Sequence, residues 1–242
     1  MINEFLEFIG RYDPDYPSSV QGASTEMIGR LASLVGQPPP LYEEFLRRMG
    51  HSLGTLKIPN LSFDIEQIIE IYEAEEWRPP PRYMVVAVEM QDPYFDYYLD
   101  LECSNDSDFS VVRFESWGTA VFKGRIHPRF RSFRDMLFWF GFLYKRMNSL
   151  PFQMKLQASP LKKEKTGQSQ EALVDAVEKL ALRMGFKRLQ HTSPQCLLLD
   201  REDAAIYGHL PPRGGFDAKA AATDKNQLSK ICEILRDHTI LV

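Results

Sequence analysis

No apolar run in this chain is long enough to cross a bilayer; the longest, Met136 to Leu143, falls far short of the roughly 20 residues a spanning helix needs. The amino terminus, Met1-Ile-Asn-Glu-Phe-Leu-Glu-Phe-Ile9, lacks the basic residues of a secretory signal, and Glu4 and Glu7 interrupt its apolar stretch. Cysteine is scarce. Cys103, Cys196 and Cys232 are odd in number and far apart, which excludes a disulfide framework, fits a reducing compartment and leaves each thiol to act as a small buried hydrophobe. These absences imply a cytoplasmic protein with no membrane partner.

Catalytic and ligand-binding signatures are also missing. The five histidines, His51, His127, His191, His209 and His238, show no His-Glu-x-x-His spacing, and no cysteine pair has metal-ligand spacing. They read as surface or cap residues. There is no glycine loop to cradle a phosphate and no nucleophile elbow. Asn105-Asp-Ser-Asp108 lacks the glycine and closing glutamate of a calcium loop and reads as a hydrophilic turn. The expectation is therefore a protein with no catalytic residue, no cofactor and no metal.

A general excess of positive charge is absent, since the net charge is -4, so direct binding to nucleic acid is not expected. The distribution is uneven. Residues 60–115 carry 14 acidic residues against Arg78, Arg82 and Arg113, whereas residues 116–165 carry 11 basic residues against Asp135 and Glu164. The basic block from Lys123 to Arg134 reads as a rim that pairs with the acidic stretch.

What the sequence does hold is ample core, 44% hydrophobic over 242 residues, enough for one large domain or two ordinary ones. Helices are marked near the amino terminus by Phe5, Leu6, Phe8 and Ile9; from Ser24 or Thr25 to Gly36; from the Pro38-Pro-Pro40 triplet to Gly50; and after Asp64, where Asp64 and Gln67 resemble a capping box. Strands follow. Tyr83 to Met90 is almost wholly apolar between Pro79-Pro-Pro81 and Asp92-Pro93, while Phe109 to Glu115 and Ala120 to Ile126 read as later strands. Ser132 and Asp135 then open a long helix with an aromatic stripe of Phe133, Phe140 and Tyr144, expected to be core.

Between the first two strand signals the chain alternates. Phe95, Tyr97, Leu99 and Leu101 share one face, expected to be core, and Tyr94, Asp96, Tyr98 and Asp100 share the other. Tyrosine beside carboxylate suits a partner interface, because a phenol offers a large rigid surface with a polar tip and a carboxylate grips a basic group. Asp92, Tyr94, Asp96, Tyr98 and Asp100 are accordingly the candidate partner-binding residues, with an ordinary solvated strand face as the alternative.

Residues 151–168, rich in Pro, Lys, Ser and Gln, read as a linker between a domain over 1–150 and a small α+β module over 169–242. In that module Leu173, Val177, Leu180 and Met184 mark a helix, strands are expected near 186–191, 196–200 and 204–210 with one more after Gly214-Gly215, and Asp224 with Gln227 opens a closing helix.

Taken together, two segments of the first domain resemble the SUKH superfamily, small domains that include Smi/Knr-type regulators and bacterial immunity proteins. Val35-Gly36, Pro39, Tyr42, Phe45-Leu46 and Gly50 match its amino-terminal pattern, and Asp92 to Leu101, Val111-Val112 and Ser132-Phe133 with Leu137 match its later strands and helix. The family's acidic residue in the first helix and the Asn of its Asn-Gly appear here as Ala32 and Met49. The resemblance covers roughly residues 20–150. It implies an α+β fold with a mostly antiparallel sheet flanked by helices, and a non-enzymatic immunity protein that neutralises a cognate protein toxin, such as a nuclease, by binding it. A scaffold or regulatory binding module of the same fold is the alternative.

Overall fold

The computed structural model describes residues 1–74, 78–91, 95–105, 108–114 and 126–242. They form an α+β fold of two compact units, Met1–Leu137 and Phe138–Val242, each built on an antiparallel five-stranded sheet.

In the first unit, helices α1 (Ile2–Gly10), α2 (Tyr16–Ser19), α3 (Thr25–Val35), α4 (Pro40–Met49) and α5 (Ile65–Glu73) start and stop at local signals. Ser24 caps α3 by accepting the Met27 N–H at 3.1 Å, and Gly36 ends it at φ 85°. Pro40 opens α4, where its missing N–H leaves nothing unpaired. Asp64 caps α5 through the Glu66 N–H at 3.1 Å. The apolar faces of these helices bury Phe5, Phe8, Leu31, Tyr42, Phe45 and Ile68.

Strands β1 (Leu61–Ser62), β2 (Tyr83–Glu89), β3 (Tyr97–Asn105), β4 (Asp108–Arg113) and β5 (His127–Phe130) lie in that spatial order. The register of β2 on β3 shifts between Val85 and Ala87, marking a bulge. Two helix tyrosines serve the backbone beside it: the Tyr72 hydroxyl accepts the Val85 N–H at 2.8 Å, and the Tyr42 hydroxyl donates to the Val85 carbonyl at 3.4 Å. The strand expected over Ala120 to Ile126 lies outside the described residues except for its last residue.

Helix α6 (Phe133–Gly141) begins on the Ser132 and Asp135 signal and continues as a turn of π-helix over Phe142–Arg146. Of its aromatic stripe, Phe133 and Phe140 are buried and Tyr144 is half-buried.

The second unit reaches further towards the amino terminus than the sequence implies. Strand β6 (Phe152–Gln157) and helix α7 (Pro160–Thr166) occupy the stretch read as a linker, and β6 pairs residue for residue with β10 (Asp217–Ala222). The misreading has a physical cause. An edge strand buries one side only and favours polar, lysine-bearing sequence, and here Leu156 is the single fully buried residue of β6. The remaining elements, α8 (Gln170–Arg183), β7 (Lys187–Arg188), β8 (Cys196–Arg201), β9 (Ala204–His209) and α9 (Lys225–His238), match the sequence signals, although β7 is much shorter than expected. Spatial order is β6-β10-β9-β8-β7, and Leu173, Val177, Ile206, Ala220, Ile231 and Leu235 belong to one core.

Two expectations about single residues need correction. Cys103 is exposed while Cys196 and Cys232 are buried, and His191 and His209 are interior at 1% and 2% exposure. His191 is held by stacking on Phe138, ring centroids 4.0 Å apart.

Candidate functional site

The alternating strand does not present its carboxylates to solvent. Asp96, Tyr98 and Asp100 are 2%, 0% and 5% exposed, and both faces of β3 are buried from Tyr97 to Asp100. Asp92 and Tyr94 lie outside the described residues. The expected docking face is covered by an aromatic ring: Phe114 stacks on Tyr98 at 4.0 Å between centroids and meets Tyr83 edge-on at 5.0 Å.

Each buried carboxylate is satisfied, as interior charge requires. Asp100 takes a bidentate pair of hydrogen bonds from Arg82, both 2.7 Å. Asp96 accepts the Glu89 N–H at 2.8 Å and the Tyr98 hydroxyl at 3.4 Å. Nearby, Arg113 donates to the Phe95 carbonyl at 2.6 Å, pairs with Glu89 at 3.3 Å and lies over the Phe95 and Tyr97 rings. A sequence signal for this arrangement exists. Arg82 and Arg113 are two of only three basic residues in the acidic block, and each sits against β3 or the residues leading into it.

Burial pushes the Asp96 carboxyl up to about 6, although the Glu89 N–H, the Tyr98 hydroxyl and the charge of Arg113 pull it down. The folded chain therefore holds this proton more tightly than the unfolded chain, whose aspartates titrate near 3.9. The stabilisation is complete below about pH 4 and is lost as pH rises through about 6. Urea unfolding should show Asp96→Asn, which keeps the acceptor for Glu89, without this loss. Relative to the wild type it should gain about 2 to 3 kcal/mol between pH 4 and pH 7, from a shift of about two units; parallel curves for the two proteins would contradict the assignment.

Asp108, from the turn that superficially suggests calcium, is committed to the backbone. Its carboxylate accepts the N–H groups of Phe109, Phe133 and Arg134 at 2.7, 3.1 and 2.9 Å, anchoring the start of α6 to β4. In the basic block, Arg134 pairs with Glu4 of α1 at 3.5 Å.

Two clusters emerge that spacing in the sequence does not reveal. His51, Asp64 and Glu66 bring one ligand atom each within 4.8 Å of one another. Asp64 is also the N-cap of α5, and the positive end of a helix dipole opposes a cation there. In the second unit, Cys196, His209 and Asp217 lie directly opposite one another on β8, β9 and β10, a thiol, imidazole and carboxylate in a row. Cys196 is 1% exposed, His209 Nδ1 stands 3.9 Å from Asp217, and Trp139 packs 5.4 Å from the imidazole. Cys196 and His209 are interior, whereas Asp217 is partly exposed at the end of the row.

The surface of the first unit offers a different feature. Glu66, Glu70 and Glu73 recur at helical spacing on the outer side of α5 and are exposed, Glu73 paired with Arg30 at 2.6 Å. Beside them a groove of about 380 Å³ is lined by Gln67, Glu70, Ile71, Val88, Glu89 and Met90. Met90 is 56% exposed, a large apolar side chain at the rim of an acidic surface. Among the described residues no helix is long and apolar enough to cross a membrane. Comparison with known proteins yields no match to a family model and none to a curated protein.

Proposed function

We propose that the chain works by binding another protein, a basic toxin that it neutralises, and that the contact is the glutamate face of α5 with the groove beside it. The observation that carries this reading is the exposed Met90 over a groove lined by Ile71 and Val88 and edged by Glu70. An apolar centre with a charged rim is the arrangement of a protein interface, where the centre supplies affinity and the rim supplies steering. A toxin that attacks nucleic acid carries a basic cleft, to which a stripe of glutamates is complementary. The resemblance to immunity proteins supports the same conclusion. The buried carboxylates of β3 then serve as scaffold behind the surface.

Co-expression with the product of the gene adjacent to this chain's own, scored for toxicity in its absence, tests the reading. Wild type should protect the cells and bind that product. Met90→Ala should weaken binding about tenfold, equivalent to ~1.4 kcal/mol for the loss of a packed side chain. Glu70→Lys should slow association and reduce its salt dependence. Absence of binding by the wild type, or full affinity in both variants, would overturn it.

A further inference from the structure

Sheet edges invite pairing with other chains, and proteins usually blunt them. Among the described residues most of the edges here are blunted. β1 and β7 are two residues long, and β5 carries Pro128. Behind β1, the tyrosines of α4 and α5 occupy both backbone groups of Val85. Behind β7, the Thr192 hydroxyl donates to the Leu198 carbonyl at 2.9 Å and accepts the Leu198 N–H at 3.1 Å.

Edge strand β6 is different. It runs six residues in regular register with β10, and Phe152, Gln153, Lys155 and Gln157 are exposed. Its free side is already used at one end. Gln157 exchanges both backbone hydrogen bonds with Val242, N–H to carbonyl at 3.3 and 2.9 Å, and the Ser159 N–H reaches the Ile240 carbonyl at 2.8 Å. Backbone polarity alternates along a strand, so Lys155 and Gln153 also aim their N–H and C=O groups away from β10. No strand lies beyond them among the described residues.

Charge marks the occupant. Lys155 stands directly opposite Lys219 of β10, an unfavourable like-charge pair, and among the described residues neither forms an ion pair. Burial lowers the Lys219 ammonium below the usual lysine range, a sign that its charge is poorly solvated. A second copy of β6 paired about a two-fold axis would crowd four lysines onto one face. An acidic strand would relieve the repulsion instead.

We propose that the open side of β6 at Gln153 and Lys155 is a strand-addition site for an extended acidic segment of a partner protein, with a carboxylate set opposite Lys155. Backbone hydrogen bonds supply the affinity and the paired lysines the preference for acid. This site lies in the second unit and is independent of the α5 groove.

The probe is a capped heptapeptide, Thr-Val-Glu-Val-Glu-Val-Thr, titrated into the full chain and followed by amide NMR, with Thr-Val-Lys-Val-Lys-Val-Thr as control. The acidic peptide should shift and protect the Gln153 and Lys155 amides and bind at least tenfold more tightly than the basic one. Lys155→Glu should reduce its affinity at least tenfold. Lys155→Pro, which removes an outward donor that an edge strand can spare, should abolish binding with the melting temperature unchanged. Equal binding of both peptides, or no change at these amides with millimolar acidic peptide, would overturn the proposal.

Discussion

Tyr98→Ala should cost the first unit about 3 to 5 kcal/mol, the range for deleting a fully buried aromatic ring. Tyr98 is 0% exposed and stacks in parallel on Phe114, so truncation leaves a cavity that the strands on either side, β2 and β4, cannot close without breaking register. It also removes the hydroxyl that donates to Asp96, a buried carboxylate that accepts the Glu89 N–H as well. Tyr98→Phe separates the two effects. It keeps the stacked ring and should cost only about 1 kcal/mol, the usual net worth of one hydrogen bond. Denaturant unfolding of the three proteins at pH 7 gives the comparison, and a loss in Tyr98→Ala below 1 kcal/mol would show that the face is not packed.

Arg146→Ala should destabilise the second unit by about 3 kcal/mol, because it breaks a largely buried ion pair and strips hydrogen bonds from a hairpin. The guanidinium reaches from the π-helical turn to Asp200 at 2.7 Å and to the carbonyls of Arg201 and Glu202 at 2.6 and 3.0 Å, where β8 turns into β9. Arg146→Lys cannot span three acceptors with one ammonium and should recover less than half of the loss. Thermal unfolding followed by fluorescence in a background where Trp139 is the sole tryptophan (Trp77→Phe, Trp117→Phe), which reports on packing against Tyr207 and His209, is the measurement. An unchanged transition in Arg146→Ala would remove the clamp from the account of this unit.

Much of the fold is written in local signals. Ser24, Pro40, Asp64, Ser169 and Asp224 mark helix starts, and Gly36 and Gly185 stand at helix ends with φ 85°, because capping and left-handed turns depend on neighbours within a few residues. The candidate site was harder to read. Alternation shows that Asp96, Tyr98 and Asp100 share a face, but coverage by Phe114 and neutralisation by Arg82 depend on contacts with residues 16 and 18 positions away in sequence. The same holds for β6, whose strand identity comes from β10, with partners about 60 to 70 residues further along the chain. His51, Asp64 and Glu66 converge only after α4, β1 and α5 are in place. Alternation reports a face; whether that face is wet is a tertiary property.

Burial of Asp96, Tyr98 and Asp100 moves the expected contact from the strand to the helix beside it, and one footprint distinguishes the two. Hydrogen exchange of the full chain, alone and with the protein product of the gene adjacent to its own, should show new protection at Ile71 to Ala74 and Val88 to Met90, with no change from Tyr97 to Leu101. Protection confined to Tyr97 to Leu101, with the α5 residues unaffected, would contradict the account.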